Sequence, residues 1–108
     1  MFEDLYDNMS LIFSHWWPAV SGEITAIDVE RIRQSGSAGT LRLAVAYEFS
    51  IGDDGPYTGE SFWQPWFFVN RRIRAAKHNI HHRQRVMVRY RPDNPSVNKL
   101  DPRIWRSL

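Results

Sequence analysis

The sequence predicts a mainly β domain of the α+β class. We expect a small curled antiparallel sheet or partial barrel, with one internal helix and an N-terminal amphipathic helix. Three observations carry this. Leu43, Val45, Tyr47 and Phe49 alternate with Arg42, Ala44, Ala46 and Glu48, the period of a strand with one buried face. Gly52-Asp53-Asp54-Gly55 follows, and Asp-Gly supplies the positive φ of a tight hairpin turn. Near the end, Val86, Val88 and Tyr90 alternate with Arg85, Met87, Arg89 and Arg91, and the run enters Pro92-Asp93-Asn94-Pro95. This reads as a half-buried strand with a basic row facing out. Its two prolines fix φ and remove backbone donors, so pairing is expected to stop there.

In chain order, Phe2, Leu5, Tyr6, Met9, Ile12, Phe13, Trp16 and Trp17 keep helical spacing, which predicts an amphipathic helix over 2–17 that ends before Pro18. Glu3, Asp4 and Asp7 lie in its first turns, where the helix dipole favours them. Residues 22–33 read as a first strand. Ile24, Ile27 and Val29 break strict parity, so a bulge is expected near Ala26. A Gly- and Ser-rich loop over 34–40 leads into the strand Leu41–Ile51, and a third strand returns over Tyr57–Gln64. The period then changes. Val69, Ile73, Ala76 and Ile80 form an apolar stripe opposite Arg71, Arg72, Arg74 and His78, a second helix within 66–80. The fourth strand spans 84–91, and Val97–Leu100 adds a short fifth. In the tail 103–108, Ile104 and Trp105 are apolar enough to dock.

A chain of 108 residues makes a single domain, with a β-rich body over 18–102. That size buries roughly two-thirds of its unfolded surface. Cysteine is absent, which excludes disulfides, zinc-thiolate sites and thiol nucleophiles. The net charge of +2 conceals an asymmetry: residues 1–30 hold six acids and no Lys or Arg, and the rest holds 14 bases against six acids. No apolar run reaches the ~20 residues of a membrane span. The acidic start lacks the basic region of a signal peptide, so a cytoplasmic location is expected.

The order of these signals resembles the domain-of-unknown-function family numbered 3592. The residues that carry the resemblance are Trp17-Pro18, Gly22-Glu23-Ile24, Tyr47-Glu48-Phe49, Tyr57-Thr58-Gly59, the helix after Trp66, and Val86 through Pro95 with Leu100 following. The match covers roughly residues 16–102. It implies a small β-rich domain, and it brings no activity or catalytic residue. Members often carry flanking membrane helices, of which this sequence shows none. The turn His81-His82-Arg83-Gln84 stands where members usually carry a Gly.

No catalytic constellation is visible. The serines lack a nucleophile-elbow context. The pairs Asp53-Asp54 and Glu3-Asp4 read as turn and helix-start chemistry, and no Gly-rich phosphate loop precedes a helix. The chain is therefore expected not to be an enzyme, and no cofactor is expected. His78, His81 and His82 have spacing that a metal could use. With Arg and Lys around them and no acid nearby, they read better as solvated residues at a helix end.

The strongest functional signal is basic. Arg71, Arg72, Arg74, Lys77, Arg83, Arg85, Arg89 and Arg91 fall between residues 71 and 91 without an acid, just after Trp63, Trp66 and Phe67. We expect Arg71, Arg74, Arg85, Arg89, Arg91, Trp63 and Trp66 to form a binding face for a protein partner, a second copy of the chain included. Two other uses fit the same residues: single-stranded nucleic acid, held by phosphate contacts and stacking, and an immunity or inhibitor protein that plugs a partner's active site. The plainer alternative makes the aromatics core and the arginines solubilising.

Overall fold

The computed structural model describes residues 16–32, 39–106 and 108. The helix expected over 2–17 lies outside them except for Trp16 and Trp17, as does most of the loop over 34–40. Five strands form one antiparallel sheet: β1 Ala19–Ile32, β2 Thr40–Ile51, β3 Asp54–Trp63, β4 Arg85–Arg91 and β5 Asn94–Leu100. Their order is β3-β2-β1-β4-β5. Helix α1, Val69–Asn79, crosses between β3 and β4, and a short helix α2, Arg103–Arg106, follows β5. No helix among the described residues is long and apolar enough to cross a membrane.

The strand pattern places the core as the alternation predicts. Leu43, Val45, Tyr47 and Phe49 are buried from β2, joined by Ile24, Val86, Val88 and Leu100. The predicted stripe of α1 seals one side, with Ile73, Ala76 and Ile80 buried and Val69 packed against them. Ile104 and Trp105 dock on the same core. The bulge expected near Ala26 appears as a register shift between Ile24 and Ala26.

The sheet curls until β3 meets β5, and side chains close the seam. Asn98 Nδ2 donates to the Thr58 carbonyl at 3.2 Å, and the Leu100 N–H donates to Ser61 Oγ at 3.1 Å. From below, the Tyr47 hydroxyl donates to Asn98 Oδ1 at 2.7 Å. Burial pushes the Tyr47 phenol up to about 12, against a smaller opposing effect of Ser61. Gly59, directly opposite Tyr47 on β3, leaves room for this contact.

Four boundaries differ from the sequence expectation. The β2–β3 turn is Gly52-Asp53, because Ile51 pairs with Asp54; Gly52 takes the positive φ of 57°, so Gly-Asp rather than Asp-Gly makes the turn. Strand β1 begins at Ala19, since Ala19 and Val20 pair with Arg89 and Val88. The Pro92–Pro95 segment does not end pairing. It is a hairpin in which Arg91 pairs with Asn94, and β5 continues through Pro95. Finally, α1 starts at Val69 rather than Trp66, because Phe68 adopts a left-handed conformation (φ 52°).

Candidate interaction face

The turn between β3 and α1 is the least expected surface of the molecule. Trp66, Phe67 and Phe68 are 93%, 73% and 76% exposed. Their backbone is fixed at both ends. Gln64 Nε2 donates to Thr40 Oγ1 at 3.1 Å and to the Leu41 carbonyl at 3.2 Å. After the aromatics, the Leu41 N–H donates to Asn70 Oδ1 at 2.9 Å. Pro65 is buried. Both anchors grip the start of β2, so the three rings stand on a rigid base. The Arg72 N–H donates to the Phe68 carbonyl at 2.9 Å, which begins α1 directly beneath them. No side chain caps α1, and no acid lies in its first turn.

Arg71 and Arg74 are exposed on α1, with Lys77 and His78 further along. None of these four has an ion-pair partner among the described residues. No Asp or Glu occurs from Ser61 to Pro92. The aromatic turn thus leads directly into a helix whose cations are exposed.

The remaining candidates divide. Trp63 belongs to the packing. Its ring is half-buried and stacks on Trp105 with centroids 5.9 Å apart and planes 7° apart, and the Arg72 guanidinium lies 5.5 Å from it. The basic row of β4 is largely neutralised, a correction to the outward row expected from alternation. Arg89 is half-buried; its Nε donates to Asp101 Oδ2 at 2.9 Å, and its Nη1 donates to the Trp17 carbonyl at 2.8 Å. Arg91 donates twice to the Asp93 carboxylate, at 2.7 and 3.0 Å, and this holds that carboxyl below its ordinary value. Asp101 is 4% exposed. Arg103 foremost, through its guanidinium and its backbone N–H, and then Arg89 hold its carboxyl well below the usual carboxylate range. Only Arg85 of the β4 row stays exposed without an ion pair among the described residues.

His78, His81 and His82 are all exposed, and no group of three potential metal ligands forms among the described residues. The aromatic turn was half-visible in the sequence. Trp66 and Phe67 stood out by composition, whereas Phe68 sat inside the span assigned to the helix. The pairing of half-buried Arg89 with buried Asp101 was not visible, because it depends on the β4–β5 register.

These features define a small barrel-like β domain. The family model described as "Domain of unknown function (DUF3592)" matches residues 20–105, and the chain belongs to that family. No curated protein and no solved structure matches the chain.

Proposed function

We propose that this protein is a non-catalytic interaction module. Its aromatic turn, Trp66 to Phe68, together with Arg71, Arg74 and Lys77, docks onto an acidic surface of a protein partner. The observation that carries this reading is the turn itself: three consecutive aromatic rings in solvent on a doubly anchored backbone. Exposed apolar patches of this kind mark contact surfaces. Phe68 strengthens the argument, since an L side chain in left-handed backbone is strained and its exposed ring contributes nothing to the core. Trp and Arg are also the residue types that dominate contact energetics.

A second copy of the chain is one partner that fits. The outer face of β1–β3 offers a shallow trough of about 140 Å³ lined by Ala26, Asp28, Glu30, Ala44, Ala46 and Glu60, opposite in charge to α1. A rigid aromatic tip equally suits an inhibitor that enters a partner's cleft.

The test is photo-crosslinking in cells, with a benzophenone amino acid at position 66 or, as an off-face control, at the exposed Asp53 of the β2–β3 turn. A discrete protein adduct is expected from position 66 alone, and Arg71→Glu with Arg74→Glu should abolish it. Adducts that disappear on nuclease treatment would replace the protein partner by nucleic acid. Equal labelling from both positions would end the proposal.

A further inference from the structure

Among the described residues, strand β4 is open along half of one edge. The Tyr90 N–H donates to the Pro18 carbonyl, and the Ile24 N–H donates to the Gln84 carbonyl, so the even residues of β4 bond towards β1. Alternation then turns the backbone groups of Arg85, Met87 and Arg89 to the other side. There β5 serves only the upper part. Its register with β4 begins at Val88–Leu100, and the Asp101 N–H still reaches the Met87 carbonyl at 2.9 Å. Beyond that point the chain leaves. Asp101 caps α2: its Oδ1 accepts from the Arg103 N–H at 3.0 Å, and its carbonyl accepts from the Ile104 N–H at 3.2 Å. Pro102 immediately precedes α2, where its missing N–H costs nothing. The Asp101 carbonyl turns to α2, and the Met87 N–H and both backbone groups of Arg85 have no partner among the described residues.

Beside this edge runs a trough of about 320 Å³ lined by Gln84, Arg85, Val86, Met87, Asp101, Arg103 and Ile104. It has an apolar floor at Val86 and Ile104. Its charge is net positive, since Asp101 is already shared by Arg89 and Arg103, and Arg85 is added to them. We propose that the edge of β4 at Arg85–Met87 accepts, as an added strand, an extended segment of a partner protein that alternates acidic and apolar side chains. Edge addition supplies affinity through main-chain bonds and specificity through alternate side chains. The residue opposite Arg85 lies on its face of the sheet, where a carboxylate meets the guanidinium. Its neighbours turn towards Val86 and Ile104, where Val or Ile fits.

This site is separate from the aromatic turn and does not depend on it. The probe is an acetylated, amidated peptide of about six residues that alternates Asp and Val, long enough to span the open edge. It is titrated into the full chain and followed by amide chemical shifts and hydrogen exchange. The Arg85 and Met87 amides should shift together and exchange more slowly. Arg85→Glu should weaken the Asp peptide about tenfold or more and favour a Lys-Val peptide instead. Met87→Pro, which deletes a donor without a partner among the described residues, should abolish binding; Arg85→Glu stands alone if that variant does not fold. Trp66→Ala should change nothing. Shifts confined to α1 and the aromatic turn, or no shift at 85 and 87 at saturating peptide, would overturn the proposal and leave the reading of the aromatic face intact.

Discussion

At Gly59 a hydrogen atom stands where the side chains of Tyr47 and Asn98 converge. A Cβ there would lie 2.0 Å from Asn98 Oδ1 and 2.5 Å from the Tyr47 hydroxyl oxygen. Neither neighbour can withdraw. Tyr47 is fully buried, and Asn98 is tied by its amide nitrogen to the carbonyls of Thr58, Pro95 and Ser96. Gly59→Ala must therefore break the Tyr47–Asn98 bond or part β3 from β5. The expected cost is about 2–4 kcal/mol, the scale of overpacking combined with a lost buried hydrogen bond, read as a lower midpoint in urea unfolding. A midpoint equal to the parent's would mean that the seam yields freely. A glycine within a strand is itself a signal of close approach, and Tyr47 and Gly59 both belong to the resemblance seen in the sequence. Asn98 could not be found that way. It follows a Pro- and Asn-rich turn, which reads as loop, and its partners Thr58 and Tyr47 lie 40 and 51 residues away.

At the level of elements, the β3–α1 junction and strand β4 show where periodicity informs and where it fails. The apolar stripe of α1 was legible to the residue, because burial of one helix face imposes its spacing on the sequence. The start of α1 was not, since an aromatic at the helix entry carries no propensity signal for left-handed backbone. In β4, alternation assigned each side chain to its face correctly for Val86 and Val88, but it said nothing of the counter-charges. Those depend on the hairpin at Pro92 and on the pairing of Arg89 with Lys99. The junction yields a prediction. Phe68→Gly removes a Cβ from φ 52°, which relieves about 1–2 kcal/mol, while Gly gives back about 0.5–1 kcal/mol in chain entropy. The variant should be as stable as the parent or more so, by about 0.5 kcal/mol, and at the same time lose crosslinking from position 66. Destabilisation beyond about 1 kcal/mol would show that the Phe68 ring supports the fold.

Across the whole molecule, Asp101 is the one buried acid among the described residues, and it joins parts far apart in the chain. Through Arg89 it connects β4 to the Trp17 carbonyl ahead of β1. Through Arg103 and its own capping bonds it fixes α2, which carries Trp105 to Trp63 at the end of β3. The ends of the described chain are therefore held by one carboxylate, and its ionisation becomes a term in global stability. Its native value lies below the ordinary 3.8, with Arg103 the largest cause. Native protein thus binds the proton less readily than unfolded chain does, and the unfolded state holds more protons as pH falls. By linkage the stabilisation is complete above the unfolded value near 3.8 and is lost as pH drops towards the depressed native value. Urea midpoints measured from about pH 6 down to about pH 2 should fall steeply below about pH 4 in the parent. Asp101→Asn should start lower by about 2–4 kcal/mol, because it strands the half-buried Arg89 charge, and should then fall less steeply over the same acid range. Parallel curves for the two proteins would mean that the fold is held at its ends by packing of Trp63 on Trp105, and that the Asp101 charge contributes no acid sensitivity.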